Sequence, residues 1–518
     1  MTRISKYEPL LALDDIQGDI LIGLPKRFER LLFFKIVDAA KFGAAIAAMT
    51  FTSAADCLAF QGIIADRKRD GIETLIPTPG FNIAFTFNGL AALHVDGLEA
   101  AIPATSAFRE GMAARQATLL DPPVAEWAIL RDAAEIHGVF IVTGASDAQT
   151  ANIVAQNLAP PQSQGWTLLH EEGGVVRPNP VKGHEHFGFA DGVSQPGVRG
   201  LIAEKIPLTP TVGVDADQGT SGQDLLWPGE FVFGYSGQDG DAKKFTVEGP
   251  VKKPPIPFMD HGAYLVFRKL AQLVPEFNLG IKAATATAQA GKEMPSHELL
   301  AAQVVGRWKS GAAIINAPYA DDPSLGDGTP LVNAFEFGGD RTGVLCPWAA
   351  HIRKAYPRDD VFHDTDPDEA HADKAEAFTQ THRMLRRGIA YGPELSEAEA
   401  LAGKSDPTKE RGLMFLCYVT SIENQFEFVQ QNWVDAGDFS QVDSGIDPII
   451  GQTKERPFLG AAPNSKDSSK KPMFTGFLPW VTMQGGAYLF APSLSQMKLL
   501  NKTKALDADT LKPLLIEV

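Results

Sequence analysis

The chain has 518 residues, 44% of them hydrophobic and 21% charged, a composition typical of a globular protein with a large core. A formal net charge of -16 and a pI of about 5.2 disfavour binding to nucleic acid or to an anionic membrane surface. The three cysteines, Cys57, Cys346 and Cys417, show no paired spacing, so neither a disulfide framework nor a structural zinc site is predicted.

The amino terminus shows no recognisable targeting signal. Residues 1–8 lack an apolar stretch and a small-residue cleavage site. No apolar run in the sequence approaches the roughly 18 residues that cross a bilayer. We therefore expect a cytoplasmic protein without a membrane partner, with a secreted mature form as the alternative. The oligomeric state is left open between a monomer and a homodimer.

Strand and helix patterns alternate along the chain. Segments rich in β-branched and aromatic residues predict strands at 31–36, 81–87, 139–142, 230–234, 262–267, 414–419 and 487–490. Helical periodicity follows several of these strands, at 38–49, 146–158 and 422–431. Such alternation in both parts of the chain predicts an α+β fold rather than an all-α or all-β fold.

The chain is predicted to fold as two halves, 1–250 and 251–518. Proline and lysine cluster at 243–257, within a connection rich in Gly, Pro and Asp. The segment 262–273 also resembles 486–497, because both begin with Gly-Ala-Tyr-Leu and keep leucine and glutamine at the same spacing. Two related halves would explain this similarity. A chance likeness between strands that enter helices is the alternative.

The sequence Gly188-Phe189-Ala190-Asp191-Gly192 places one carboxylate between glycines. Glycine accepts backbone angles and close approaches that other residues do not, so this loop can press Asp191 against a flat, bulky ligand. A carboxylate held there can carry protons to and from the ligand. The alternative is a surface turn, since Asp-Gly is a common turn dipeptide.

Two further segments combine a histidine with basic residues. His351 follows an apolar run, and a neutral imidazole ligates iron well, while the nearby Arg353 can pair with cofactor carboxylates. Arg386 lies in a basic run, and a guanidinium stabilises negative charge on a reactive oxygen. The alternatives are a histidine at the edge of an element with a solvated basic face, and a basic helix end closed by Gly388.

Together these segments resemble the dye-decolourising peroxidase family of haem enzymes. The GxxDG, A-H-I-R and R-x-G-I-x-Y-G motifs occur here in the family's order, at 188–192, 350–353 and 386–392. Further similarity extends from 16–26 to 485–488. The amino-terminal run and the overall length are most similar to the large, fungal-type branch.

The resemblance implies two ferredoxin-like halves, each an antiparallel sheet with flanking helices, arranged like a dimeric α+β barrel. One haem b per chain would be held mainly by the C-terminal half. The implied activity is reduction of hydrogen peroxide with one-electron oxidation of dyes, phenols and other aromatic compounds, with Mn(II) as an open further substrate. A haem-handling protein with incidental peroxidase activity is the alternative, and a non-haem interaction protein of the same fold is a third.

The resemblance also assigns roles to individual residues. His351 becomes the axial iron ligand, with Asp447 as the partner of its other ring nitrogen. Asp191 becomes the acid–base group and Arg386 the stabiliser of negative charge, and a carboxylate in that role is expected to favour acidic pH. One departure from the family is Tyr356, where members often have Asn before Pro-Arg. The other expected cofactor contacts are Arg353, Gly188, Gly192, Leu413 and Phe415.

Tyr391 and Trp433 resemble positions that the family uses for electron transfer at the protein surface. Bulky dyes cannot reach a buried haem, so we expect these two aromatic residues to relay electrons. An aromatic side chain packed between helix and sheet is the alternative.

Three other clusters contain potential metal ligands. Three carboxylates follow Tyr391 and could bind Mn(II), namely Glu394, Glu397 and Asp406. The alternative is that they belong to a solvated acidic loop. His184-Glu185-His186 lacks an evident third ligand. The segment 364–369 mimics the start of a calcium loop but has Glu369 where that loop needs glycine, so no calcium site is predicted.

Overall fold

The structure is a computed structural model that describes residues 8–72, 76–201, 222–360, 369–453 and 456–501. The strands are β1 (Phe28–Ile36), β2 (Gly80–Phe85), β3 (Gly138–Gly144), β4 (Trp166–Val175), β5 (Gly197–Val198), β6 (Leu225–Leu226), β7 (Ser236–Gln238), β8 (Glu248–Val251), β9 (Ala263–Gln272), β10 (Leu385–Arg386), β11 (Ile389–Tyr391), β12 (Gly412–Val419), β13 (Phe458–Leu459), β14 (Met473–Phe474) and β15 (Val481–Ala491).

The α-helices are α1 (Gly18–Leu21), α2 (Ala39–Ala48), α3 (Ala54–Arg69), α4 (Phe87–Ala92), α5 (Leu98–Ala101), α6 (Ala107–Glu110), α7 (Asp147–Leu158), α8 (Val274–Ala286), α9 (His297–Val305), α10 (His351–Ala355), α11 (Glu369–Gln380), α12 (Glu397–Ala402) and α13 (Leu494–Leu499). Two π-helical turns are Ile422–Glu427 and Val429–Val434. The 3-10 turns are Val124–Glu126, Pro161–Gln164, Pro228–Glu230, Pro257–Met259, Pro323–Leu325 and Ser468–Lys470.

One large antiparallel sheet joins both parts of the chain. In the described ranges its order is β10-β12-β9-β15-β2-β3-β1-β4, and β11 pairs with β12 beside β10. The strands from the first part meet those from the second where Phe85 of β2 pairs with Phe490 of β15. The two predicted halves therefore share a sheet, and a boundary near residue 250 stays a prediction.

The sheet curls until its ends meet. The rings of Phe33 on β1 and Phe267 on β9 are 5.1 Å apart, although three strands separate β1 from β9 in the sheet. A Cβ placed on Gly174 of β4 would lie 2.3 Å from Cγ2 of Ile389 on β11. The interior of this barrel is a buried apolar cluster that includes Leu31, Ile141, Leu265, Leu416 and Leu489.

The outer face of the sheet is covered by helices. Side chains alternate between faces along a strand, so Phe34 points away from the barrel interior and packs against Phe42 of α2. Helix α2 begins after Asp38, whose carboxylate accepts the backbone N–H of Lys41 at 3.1 Å and satisfies a donor at the helix start. Residues Phe42 and Ile46, four apart, give α2 its buried face.

The strand predictions at 31–36, 81–87, 139–142, 262–267, 414–419 and 487–490 are confirmed, as are the helices at 38–49 and 146–158. The prediction at 422–431 is helical but π-type. The predicted strand at 230–234 is wrong, because Pro228 opens a 3-10 turn and Gly234 has φ +93°. Strand β4 was not predicted. The segment 364–368 lies outside the described residues.

Helices long and apolar enough to cross a membrane are absent from the described ranges. Each of the three cysteine residues is a buried free thiol, and burial raises the pKa of each. Buried thiols kept protonated are weak nucleophiles, so they belong to the packing of the core.

Candidate active site

A cavity of about 280 Å³ opens beside strands β9 and β12, the loop 185–196 and helix α10. Its lining brings together Asp191, His351 and Arg386, which are far apart in sequence. Gly192, Leu413 and Phe415 also line the cavity, and their expected contacts with a cofactor stay predictions. Most of the wall is apolar, with few polar groups at defined places, which is typical of a site for a small molecule or a cofactor.

The loop that carries Asp191 is held in shape by Glu185. The Glu185 carboxylate accepts the backbone N–H groups of Phe187 and Phe189, each at 2.8 Å. The Phe187 ring stacks on Phe277 of α8 with centroids 4.4 Å apart, which anchors the loop to an apolar cluster. Burial raises the pKa of Glu185. This residue is therefore part of the loop's scaffold rather than a metal ligand.

Gly188 has a backbone role. Its φ is +96°, a left-handed conformation that strains any residue with a Cβ, and it does not line the cavity. Gly192 has φ +72° and does line the cavity. The expected cofactor contacts of both glycines stay predictions, and the position of Gly192 on the cavity wall is the one compatible with a direct contact.

Asp191 and Arg386 face each other in the cavity. The Arg386 NH1 atom is 3.9 Å from Oδ1 of Asp191, and the two side chains keep 34% and 36% of their surface open. Asp191 Oδ1 also accepts the N–H of Gly192 at 2.7 Å. Arg386 donates from NH2 to the carbonyl of Ser194 at 2.7 Å, which fixes the direction of the guanidinium. Both groups keep capacity to bind a further molecule.

His351 is the first residue of α10 and is oriented by Asp447. The imidazole Nδ1 is 2.7 Å from Oδ2 of Asp447. Asp447 is fully buried, and its other oxygen accepts the N–H groups of Ile449 and Ile450 at 2.8 and 3.1 Å. Burial acts to lower the pKa of His351, but the charge and hydrogen bond of Asp447 outweigh it and the pKa is raised. With Nδ1 engaged, Nε2 is the ring nitrogen available to a ligand.

Three arginines form a cationic end of the cavity, namely Arg307, Arg358 and Arg383. Arg307 is 4% exposed and donates to the carbonyls of Gly311 and Val332 at 2.8 and 2.7 Å. Burial and the charges of Arg358 and Arg386 lower the pKa of Arg307 to about 9. The sequence reasoning missed this end. Arg358 could have been found from its place after the histidine motif, whereas Arg307 lies in no motif.

Arg353 does not line the cavity. Its guanidinium is fully buried and pairs with Asp360 through Nε at 2.7 Å and with Asp340 through NH1 at 3.1 Å. This position does not support the expected contact with a cofactor, which stays a prediction. The short helix α10 turns Arg353 away from His351 into this ion-pair network, where it holds the segment that carries the histidine.

Tyr391 and Trp433 are buried, at 5% and 1% exposure, so their expected surface positions are wrong. The Tyr391 hydroxyl donates to Oε1 of Glu410 at 3.0 Å. Trp433 stacks on Phe439 with ring centroids 5.4 Å apart and meets His382 edge-on at 5.1 Å. Both rings are packed inside the fold, as in the alternative interpretation. A role in electron transfer remains a prediction.

Two of the carboxylates expected at an Mn(II) site, Glu394 and Asp406, are engaged by other groups. Glu394 pairs with Arg177 at 2.5 Å, and Asp406 accepts the N–H of Thr408 at 2.9 Å. The His186 Nε2 is 2.9 Å from the carbonyl of Tyr391. Within the part of the chain that the structure describes, no group of three or more His, Cys, Asp or Glu side chains is placed to hold a metal ion.

Comparison with known proteins gives a consistent family assignment. The family model for the DyP dimeric alpha+beta barrel domain matches residues 15–178, and the model for the Dyp-type peroxidase C-terminal region matches residues 253–444. The dye-decolorizing peroxidase msp1 of Mycetinis scorodonius is 34% identical over 94% of this chain and 87% of its own length. AauDyP1 of Auricularia auricula-judae is 33% identical over 94% of this chain and 86% of its own.

Solved structures support the same assignment. A variant of the dye-decolorizing peroxidase from Pleurotus ostreatus has a TM-score of 0.77 and 30% identity, covering 95% of this chain and 99% of its own. A dye-decolorizing peroxidase in complex with 2,6-dimethoxyphenol has a TM-score of 0.72 and 32% identity, with coverage of 95% and 99%. The α+β fold of dimeric-barrel type is confirmed, and the protein is a peroxidase. The chain belongs to the dye-decolourising peroxidase family.

Proposed function

We propose that this protein is a haem b peroxidase that reduces hydrogen peroxide and takes electrons one at a time from dyes and phenolic compounds. The observation that carries the proposal is the convergence of His351, Asp191 and Arg386 on one cavity. Enzymes of this family contain haem. The structure of a relative in complex with 2,6-dimethoxyphenol supports a phenolic reductant.

The donor set of the cavity fits haem, which is flat, largely apolar, and carries an iron and two carboxylates. The Nε2 of His351 is a suitable iron ligand. Leu413 and Phe415 supply apolar wall, and Arg307 and Arg358 supply positive charge for carboxylates. Bound haem supplies the redox chemistry, namely two-electron reduction of peroxide and one-electron oxidation of organic reductants.

Asp447 tunes and orients the proposed ligand. By accepting the Nδ1 proton of His351, its carboxylate fixes the tautomer that leaves Nε2 unprotonated. The same hydrogen bond makes the imidazole a stronger electron donor. The two backbone N–H groups that donate to Asp447 fix its position, and with it the orientation of His351 toward the cavity.

Asp191 and Arg386 would handle the peroxide. The Asp191 carboxylate takes a proton from one peroxide oxygen and returns it to the other, which leaves as water. The Arg386 guanidinium, 3.9 Å from Asp191, stabilises the negative charge that develops on the oxygens. A protein that only carried haem would need His351 but not this pair, so the pair favours an enzyme over the haem-handling alternative. The proposal is confined to organic reductants, because the carboxylates considered for Mn(II) are not gathered into a site.

The test is an absorption spectrum of haem-loaded protein before and after one equivalent of hydrogen peroxide. We expect a Soret band that shifts promptly in the wild type. Asp191→Asn and Arg386→Leu should retain the Soret band but react more slowly, by about 100-fold to 10,000-fold for the acid–base residue. His351→Ala should lose or loosen haem. Wild-type peroxide reactivity in either cavity variant, or full haem retention without His351, would contradict these assignments.

A further inference from the structure

Tyr356 lines the cavity and is built into a buried polar cluster. Its hydroxyl donates to Oδ2 of Asp224, and the side-chain amide of Gln380 donates to the Tyr356 oxygen at 2.9 Å. Burial raises the pKa of Tyr356 well above its usual value, so the phenol is protonated. The phenol thus faces the cofactor cavity with its proton already directed at a carboxylate.

Asp224 has the capacity to take that proton. It is 1% exposed, and its Oδ2 also accepts the Gln380 amide at 2.9 Å. The Arg383 NH1 atom is 3.4 Å from the same oxygen. Its Oδ1 is buried and makes no hydrogen bond in the described ranges. Because Oδ2 already accepts the hydrogen bond of the Tyr356 hydroxyl, it is the atom to which the phenolic proton would move.

Two arginines next to the Tyr356 ring determine whether oxidation of Tyr356 must be accompanied by loss of its proton. The Arg383 guanidinium lies 3.6 Å from the Tyr356 ring centroid, and the Arg358 guanidinium lies 4.9 Å from it. Two cations at these distances make a positive charge on the ring unfavourable. Loss of an electron alone would create that charge, whereas loss of an electron together with the proton would not. Oxidation of Tyr356 is therefore coupled to proton transfer.

We propose that Tyr356 is a redox-active residue of this peroxidase, an inference that rests on the proposed function. One electron passes from the phenol to the peroxide-oxidised cofactor, and the phenolic O–H bond breaks as its proton moves to Asp224. The products are a neutral tyrosyl radical and a protonated Asp224. The organic reductant then returns one electron to the radical, and the proton returns from Asp224 to re-form the phenol.

Tyr418 provides a matched control. It is 1% exposed, and its hydroxyl donates to Oδ2 of Asp19 at 3.0 Å, so it repeats the pairing of a phenol with a buried aspartate. It lies inside the barrel and does not line the cavity. Tyr356 and Tyr418 thus share the pairing with a buried aspartate and differ in that Tyr356 lines the proposed cofactor cavity.

The experiment is electron paramagnetic resonance of haem-loaded protein frozen shortly after one equivalent of hydrogen peroxide. We expect a radical signal in the wild type that narrows when the protein carries ring-deuterated tyrosine. The tyrosyl signal should be lost in Tyr356→Phe and retained in Tyr418→Phe. Asp224→Asn, which keeps the phenol but removes the proton acceptor, should also lose it. If Tyr356→Phe binds no haem, Tyr356→Asn takes its place, because an amide can still donate a hydrogen bond to Asp224 but has no phenol to oxidise.

The outcomes separate this inference from the proposed function. A wild-type protein without a Soret band, or with one indifferent to peroxide, would overturn both. A wild-type protein that consumes peroxide but shows the same tyrosyl signal in Tyr356→Phe, or no tyrosyl signal at all, would overturn the role of Tyr356 alone. Loss of the signal in Tyr418→Phe with retention in Tyr356→Phe would place the radical elsewhere.

Discussion

Each side chain at the centre of the cavity is held by a second group that uses one of its hydrogen-bonding atoms. Asp447 engages Nδ1 of His351, and the carbonyl of Ser194 engages one nitrogen of Arg386. This arrangement leaves Nε2 of His351 and the remaining N–H groups of Arg386 available to a ligand. Orientation set before binding removes an entropic cost from a reaction, so we expect these partners to contribute to the proposed catalysis without touching substrate.

His186 is expected to make the fold sensitive to acid. Burial, with the charge of Arg177, lowers its pKa to about 4, while its hydrogen bond to the carbonyl of Tyr391 acts in the opposite direction. An unfolded histidine titrates near 6.5, so between pH 6.5 and 4 the unfolded chain binds a proton that the folded chain does not. Stability present above pH 6.5 is thus lost as pH falls, by roughly 3 kcal/mol across that window.

The measurement for His186 is the denaturant midpoint as a function of pH. His186→Gln keeps a donor toward Tyr391 but cannot titrate, so its stability should fall less between pH 6.5 and 4 than that of the wild type. His297→Gln changes an exposed histidine and should follow the wild-type curve. If the denaturant midpoints of His186→Gln and the wild type fell equally between pH 6.5 and 4, the loss of stability in acid would not come from this imidazole.

We expect the main contribution of Trp433 to be to the stability of the fold. Because the ring is 1% exposed among aromatic neighbours, Trp433→Ser should cost about 3–5 kcal/mol of the free energy of unfolding. Leu401→Ser, at a residue 82% exposed, should change it by less than about 0.5 kcal/mol. Dye turnover should therefore be tested in Trp433→Phe, which keeps a packed ring. Equal unfolding midpoints for Trp433→Ser and the wild type would contradict this burial.

At the scale of elements, the long strands could be predicted because their apolar runs are buried in a sheet covered on both faces. Strand β4 could not, since Leu168 and Leu169 are exposed and polar residues and glycines follow. The run at 230–234 has the residues of a strand but lies between Pro228 and Gly234, and turn geometry overrides its propensity. The similar segments 262–273 and 486–497 differ in their second halves. The first segment continues as strand β9 to Gln272, whereas the second enters helix α13 at Leu494.

The candidate site was predictable where motifs carried it and not elsewhere. Asp191, His351 and Arg386 each belong to a motif. Arg307 belongs to none, and its place at the end of the cavity depends on tertiary packing. The ion pairs of Arg353 could not be predicted for the same reason, because the direction in which a one-turn helix points its side chains is set by its partners.

The loop that carries Asp191 should lose its conformation when the Glu185 carboxylate is removed. Glu185→Ala leaves the N–H groups of Phe187 and Phe189 without their acceptor, at a cost of roughly 2 kcal/mol. Displacement of Asp191 by about 1 Å should slow the reaction with peroxide by up to about 100-fold. Stopped-flow absorption at the Soret band measures this rate, with haem content checked first. Glu171→Ala removes an exposed carboxylate of β4 and should react as the wild type does; an equally fast Glu185→Ala would contradict the scaffold role.

At the scale of the molecule, the site depends on both parts of the chain. Asp191 follows the strands of the first part, whereas His351 and Arg386 come from the second. The two parts are joined by the β2–β15 pairing and by the barrel interior, where Phe33 meets Phe267. The relative position of Asp191 and His351 is therefore set by closure of the barrel, and a change where the barrel closes should affect the positions of both residues.

Gly174 lies where the barrel closes. A Cβ there would approach Cγ2 of Ile389 at 2.3 Å and Cε of Met414 at 2.6 Å, and a β-branched side chain would force β4 away from β11. We expect Gly174→Val to lower the free energy of unfolding by about 1–3 kcal/mol through overpacking. Gly173→Val is the matched control, because that neighbour is exposed and a Cβ on it meets nothing within 4 Å. Since valine favours strands, equal denaturant midpoints for the two variants would mean that the barrel is not closed by this contact.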